Sequence, residues 1–200
     1  MAALYTDALH PFAQVTRYKK PASAHVVLNI EALYFPIPQQ YLGSGRGILQ
    51  PKGYIHQIPK IIQRCNSLNI TPQLLLNVTC EGESGLNNKF FDRLVSYIKK
   101  LRDLGLGSLV ITNPVYIGRI KKEISGIRVE SSVNCYAKTI EHAAYLKDLG
   151  VDVLTIDRDI NRNIPLIKEI KNRLHPKTIS WWNPETTRLH KYDTNRNNRG

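Results

Sequence analysis

Apolar positions in this chain fall into two patterns. In the first, Phe91, Leu94, Val95, Ile98 and Leu101 lie at i, i+3, i+4, i+7 and i+10, so they line one face of a helix. In the second, short runs such as Leu74–Val78, Leu109–Ile111 and Val153–Ile156 are apolar or β-branched with little polar alternation. Strands of that kind are buried on both faces, as in a parallel sheet. The same reading predicts a strand near His25–Phe35, a helix near Tyr54–Asn66, a helix near Ile117–Ile124, a strand over Ile127–Ser131 and a helix from Thr139. A last helix runs to Leu174. Its apolar face is Ile164, Ile167, Ile170 and Leu174, and Asn163 and Pro165 mark its start.

A repeat ties these elements together. Leu101–Thr112 (LRDLGLGSLVIT) matches Leu146–Asp157 (LKDLGVDVLTID) at a spacing of 45 residues. Each copy reads as a helix end, a turn and a strand. Gly105 and Gly150 stand where the helix needs a left-handed cap. Successive strand-helix units imply right-handed crossovers and an α/β fold. The expectation is a partial TIM-type (βα) barrel of about five to six parallel units, where a closed barrel has about eight strands and about 250 residues. The domain organisation expected is an N-terminal extension over 1–24, the partial barrel over 25–174, and an irregular tail over 175–200 with one possible strand at Thr178–Trp182. A barrel stopped at this point leaves its first and last strands with unpaired edges, which predicts self-association or a partner chain that completes it.

Active sites of parallel α/β proteins lie at the carboxyl ends of the strands. The candidates there are Asn77 and Cys80, Asn113, Glu130, Ser131 and Asn134, and Asp157 with Arg158. An arginine at a strand end can hold a carboxylate or phosphate through two hydrogen bonds, or simply pair with Asp157 or Asp159. Glu130 and Asp157, on neighbouring strand ends, could form an acid–base pair or serve as ion-pair partners of Arg158. Cys80 becomes a nucleophile only beside a base that lowers its pKa, and no histidine is near it in sequence. His56 and His142 fall within helices and read as surface or interface residues. Gly43–Gly47 (GSGRG) has the glycines of a phosphate loop, but Pro36, Pro38 and Pro51 around it argue for a flexible loop near the rim. Trp181 and Trp182 read as a core or edge patch rather than a base-stacking platform.

Three linked segments resemble the peptidase U-32 (collagenase-like) family: Val129–Asn134 (VESSVN), Ala143–Gly150 (AAYLKDLG) and Val153–Ile160 (VLTIDRDI). In that family a Ser-Thr-Gln-x-Asn strand end leads through a helix to Leu-Gly and an Arg-Glu-Leu strand end. Asn134 and Arg158-Asp159-Ile160 match. Glu130 stands where the family has Ser, and Ser132 where it has Gln. The resemblance covers about residues 25–174. It implies a peptidase-like hydrolase, or a component of an enzyme that hydroxylates RNA bases or ubiquinone precursors, often with an iron-sulfur cluster. The family's cysteine signature lies downstream and has no counterpart here. The expectation is therefore a truncated or non-catalytic barrel with no cofactor of its own.

Composition adds limits. The formal net charge is +12 and the pI about 9.7, which makes RNA a possible partner, although the basic residues are spread along the chain. Cys65, Cys80 and Cys135 are separated by 15 and 55 residues, which gives neither a disulfide framework nor a metal knuckle. No metal site is expected, and a cytoplasmic setting fits. No run approaches the ~18 apolar residues of a membrane span, and the first residues do not read as a signal peptide.

Overall fold

A computed structural model describes residues 14–15, 18–19, 29–43, 50–81, 87–174, 178–183 and 188–193. Its strands are β1 (Gln14–Val15), β2 (Tyr18–Lys19), β3 (Asn29–Ile30), β4 (Ala32–Pro36), β5 (Thr71–Leu76), β6 (Ser108–Ile111), β7 (Arg128–Ser131), β8 (Val153–Ile156), β9 (Thr178–Asn183) and β10 (Arg188–Asp193). The helices are α1 (Tyr54–Ser67), α2 (Asn88–Asp103), α3 (Pro114–Glu123), α4 (Ile140–Asp148) and α5 (Ile164–Leu174). From β4 to α5 strand and helix alternate five times, the α/β order expected. The chain divides into two compact units, Met1–Leu109 and Val110–Gly200.

In the first unit β4 and β5 pair in parallel, from Ala32 opposite Thr71 to Pro36 opposite Leu75. The Gly107 amide donates to the Pro72 carbonyl at 3.1 Å and so brings the chain back beside β5 as β6 begins. Helix α2 starts where the Asn87 side chain accepts from the Phe90 amide, and its buried face is Phe90, Phe91, Leu94, Val95, Ile98 and Leu101. Each such side chain contributes on the order of 1.5–3 kcal/mol by leaving water. Leu33, Phe35, Leu74 and Leu76 are also buried in this core. The strand expected near His25–Phe35 is β3 and β4, with residues 25–28 outside the described part.

In the second unit β7 pairs with β8 in parallel, Glu130 opposite Val153, and β8 pairs with β9 over Val153–Ile156. The Ser132 amide donates to Ile111 O at 2.8 Å, and the Asp152 amide to Val129 O at 2.8 Å, which stitches the ends of neighbouring strands together. Leu154, Ile156, Val129, Ile111, Ile117, Ile120, Ala143, Leu146 and Ile170 form the core. Helix α3 begins earlier than its apolar spacing predicts, because Asn113 caps it and Pro114 occupies its first turn. Ile164, placed on the apolar face of α5 by its spacing, is 53% exposed.

Two expectations about the edges change. The edge of β4 carries β1, antiparallel, with Gln14 opposite Tyr34 and Val15 opposite Leu33. The edge of β9 carries β10, also antiparallel, with Arg188 opposite Asn183 through Asp193 opposite Thr178. Lys191–Asp193, read from its polarity as part of an irregular tail, is thus the end of a strand. Backbone pairing with β9, not an apolar pattern, makes that strand. Residues 194–200 lie outside the described part, as do 44–47 of the glycine loop.

Candidate functional site at the strand ends

In the first unit the candidates stand apart from any reactive set. Asn77 directly follows β5 and is half-buried, and Cys80 is exposed three residues later. His56 lies exposed on α1. Nearby, the Tyr54 hydroxyl donates to Pro36 O at 2.9 Å and fixes the end of β4. Tyr41 and Tyr97 stack with ring centroids 4.5 Å apart.

The second unit gathers most of the candidates at the carboxyl ends of its strands. Asn113 follows β6, and its side chain accepts from the Val115 amide at 2.9 Å, which makes it the cap of α3. Glu130 and Ser131 end β7, and both are buried. Burying such groups is costly unless they are bonded. Ser131 Oγ accepts from the Thr155 amide at 2.8 Å, and Thr155 Oγ1 donates to Glu130 Oε1 at 3.3 Å. The ends of β7 and β8 are therefore tied side chain to backbone.

Past β7, Ser132 turns the chain into a short 3-10 segment by accepting from the Asn134 amide. Cys135 follows and donates its thiol to Thr112 O at 3.1 Å and Ile111 O at 3.3 Å. Past β8, the buried Asp157 plays the part of Ser132: its Oδ1 accepts from the Asp159 amide at 2.8 Å and starts a second 3-10 turn. Its own amide donates to Ala137 O at 3.1 Å. Lys138 closes the link, with an ion pair to Asp159 and its Nζ 3.9 Å from Asp157 Oδ1. The hydrogen bond to Asp159 raises the Lys138 pKa, and the same bond holds the Asp159 carboxyl below its ordinary range. Arg158 is exposed beside this network.

Sequence reasoning did not single out Lys138, Thr155 or Tyr136, and it weighed Asp159 only as a partner of Arg158. Thr155 had a signal: it is the polar residue where the first repeat copy has Val110. Lys138 and Asp159 are 21 residues apart and meet only through the strand pairing. His142 is half-buried on α4 with its ring 6.4 Å from that of Tyr145, as befits a helix-surface residue.

The thiols have different fates. Burial pushes Cys65 up to about 11 and Cys135 to about 12, the latter opposed by a backbone hydrogen bond from Ser132. A thiol so raised stays protonated at neutral pH and is a poor nucleophile or ligand. With Cys65 on the buried face of α1 and Cys135 bonded to carbonyls, neither of these two thiols fits as an iron-sulfur ligand. Among the described residues no three His, Cys, Asp or Glu side chains gather as a metal site, and no helix is long and apolar enough to cross a membrane.

The profile of Peptidase family U32 matches residues 53–180, from the start of α1 into β9. The chain belongs to the U32 peptidase family. A curated relative, described as an uncharacterized protease from Methanocaldococcus jannaschii, is 22% identical over 145 residues, which is 72% of this chain and 42% of that protein. The solved structure of the U32 peptidase Mk0906 shares the fold at a TM-score of 0.63 and 22% identity, covering 76% of this chain and 60% of that one. The chain thus spans less than half the length of the curated relative it matches. The residues that carry the resemblance, Val129–Asn134 and Val153–Ile160, lie inside the matched stretch and form the tied ends of β7 and β8.

Proposed function

We propose that this chain is the substrate-holding component of a U32-type enzyme, that it binds polypeptide at the carboxyl ends of β6, β7 and β8, and that it cuts no peptide bond on its own. The observation that carries this reading is the contrast within that rim. It is polar and hydrogen-bonded, with Ser131, Thr155, Asp157 and Lys138 linking the strand ends. Yet Cys135, the thiol within it, is buried and bonded to carbonyls. Preorganised polar groups suit binding, whereas acyl transfer needs an activated nucleophile beside a base. The relatives' descriptions as protease and peptidase favour polypeptide as the ligand. Three free cysteines fit a reducing cytoplasm.

The test is hydrolysis of gelatin and casein by the purified chain, wild type beside Cys80→Ala. The expected result is no turnover by either. Turnover by the wild type that Cys80→Ala abolishes would make the exposed thiol a nucleophile and overturn the reading. A second reading, contact with RNA, rests on the net charge of +12. It predicts filter binding of RNA that falls steeply with salt.

A further inference from the structure

Two described residues other than glycine have positive φ, Asn69 and Tyr136, both at 54°. Asparagine tolerates the left-handed region because its short side chain bonds locally, whereas a tyrosine there is strained. Tyr136 is held in that conformation from both sides. Its amide donates to Val133 O at 3.1 Å, Cys135 before it is bonded to Thr112 O, and Ala137 after it accepts from the Asp157 amide. Glycine or asparagine would make the same turn without the strain. Nor does the ring repay it by burial, for Tyr136 is 52% exposed between two buried neighbours. Tyr54 and Tyr116 show the alternative, with rings in the core. A strained residue fixed by its surroundings, with its ring turned to water at a strand's carboxyl end, is a feature of ligand-contacting positions.

The surroundings narrow the ligand. Lys138, two residues on, is ion-paired with Asp159. Lys138 and Asp159 neutralise each other, so a charged group that docks on either must break their ion pair, while a neutral flat group beside them need not. Aromatic rings meet face to edge or offset, and they bury large area at small entropic cost.

We infer that Tyr136 is a ligand-contacting residue of the rim, its ring a platform for an aromatic side chain of a bound polypeptide. This rests on the polypeptide reading above. The test is affinity selection from a randomised decapeptide library with wild type, Tyr136→Phe and Tyr136→Asn. Wild type and Tyr136→Phe enrich Phe, Tyr or Trp at one position. Tyr136→Asn loses that enrichment about tenfold while its melting temperature rises by about 2–4 °C as the strain is relieved. The rise in stability separates lost contact from lost folding. Aromatic enrichment that survives in Tyr136→Asn overturns the assignment. So does a wild type that captures peptides with no aromatic preference, an outcome that leaves the polypeptide reading standing. A folded wild type that captures no peptide overturns both.

Discussion

The two copies of the 45-residue repeat use the same backbone device and end in different chemistry. In Leu101–Thr112 the Gly105 amide donates to Arg102 O at 2.8 Å, Leu106 to Leu101 O at 3.0 Å, and Gly107 to Pro72 O on the preceding strand at 3.1 Å. In Leu146–Asp157 the equivalent bonds are Gly150 to Lys147 O at 2.8 Å, Val151 to Leu146 O at 3.3 Å, and Asp152 to Val129 O at 2.8 Å. Both glycines have φ +97°. The turn is fixed by backbone geometry that few sequences satisfy, so it repeats. The side chains around it are free to diverge. Asn66 covers the first turn and donates to Leu104 O and Gly105 O, whereas the second is covered by Lys121, bridged to Asp152 at 2.8 Å. At the strand ends, an uncharged Thr112-Asn113 caps a helix where Asp157-Arg158-Asp159 joins an ion-pair network.

The strongest way to break the comparison is to give both turns a Cβ. At Gly105 it falls 2.3 Å from Asn66 Nδ2, and at Gly150 its nearest neighbour is Lys121 Cγ at 3.1 Å. Both variants pay the left-handed penalty of about 1–2 kcal/mol. Gly105→Ala also displaces Asn66 and its two hydrogen bonds, for a total of about 2–3 kcal/mol. Gly150→Ala needs only a small shift of a flexible lysine stem and costs about 1–2 kcal/mol. Urea denaturation of each variant measures the difference. Equal losses would show that the covering side chain does not matter.

The next effect is smaller and lies within the strands. Thr155 occupies the place of Val110, so Thr155→Val makes the second copy resemble the first. It removes the hydrogen bond to Glu130 Oε1 and leaves a buried carboxyl with one partner fewer. The expected destabilisation is about 1–2 kcal/mol, with the Thr155 amide still bonded to Ser131 Oγ. A neutral or stabilising result would mean that the Glu130 carboxyl does not depend on Thr155.

The turns and central strands are the part of this molecule most visible in its sequence. Val153–Ile156 is a strand over the residues its pattern indicates, Thr139 caps α4, and Gly105 and Gly150 stand in the left-handed region. These features are local, written within one turn or one run. What stayed hidden is non-local. Strands β1 and β10 have no alternating pattern and exist through antiparallel pairing with β4 and β9. At the site, Ser131, Glu130 and Asp157 could be located from strand ends, but the lysine that joins two of those ends could not, since Lys138 belongs to a loop after β7 and its partners to the turn after β8. The strain at Tyr136 was hidden for the same reason: its flanks are set by bonds to other strands.

The smallest effect tests whether charge acts at one strand end and not at the other. The hydrogen bond from Lys138 lowers the Asp159 pKa, so the contribution of that carboxylate is present above its unfolded pKa and fades as pH falls through the folded value. Lys138 is raised, so its contribution is complete below its unfolded pKa and fades as pH rises through the folded one. Both side chains are largely exposed, which keeps the energetic consequence slight. The titration itself is sensitive. Carbon-13 NMR of the carboxyl groups should show Asp159 titrating below the ordinary aspartate range in the wild type and moving up in Lys138→Met. Asn113, capping α3 through an uncharged amide, gives the control: the Val115 amide it holds should show the same chemical shift in both proteins across the acid range. An Asp159 titration that Lys138→Met leaves unmoved would mean the ion pair does not persist in solution, and the ends of β7 and β8 would then be tied by Ser131, the Thr155–Glu130 hydrogen bond and the Ala137 carbonyl.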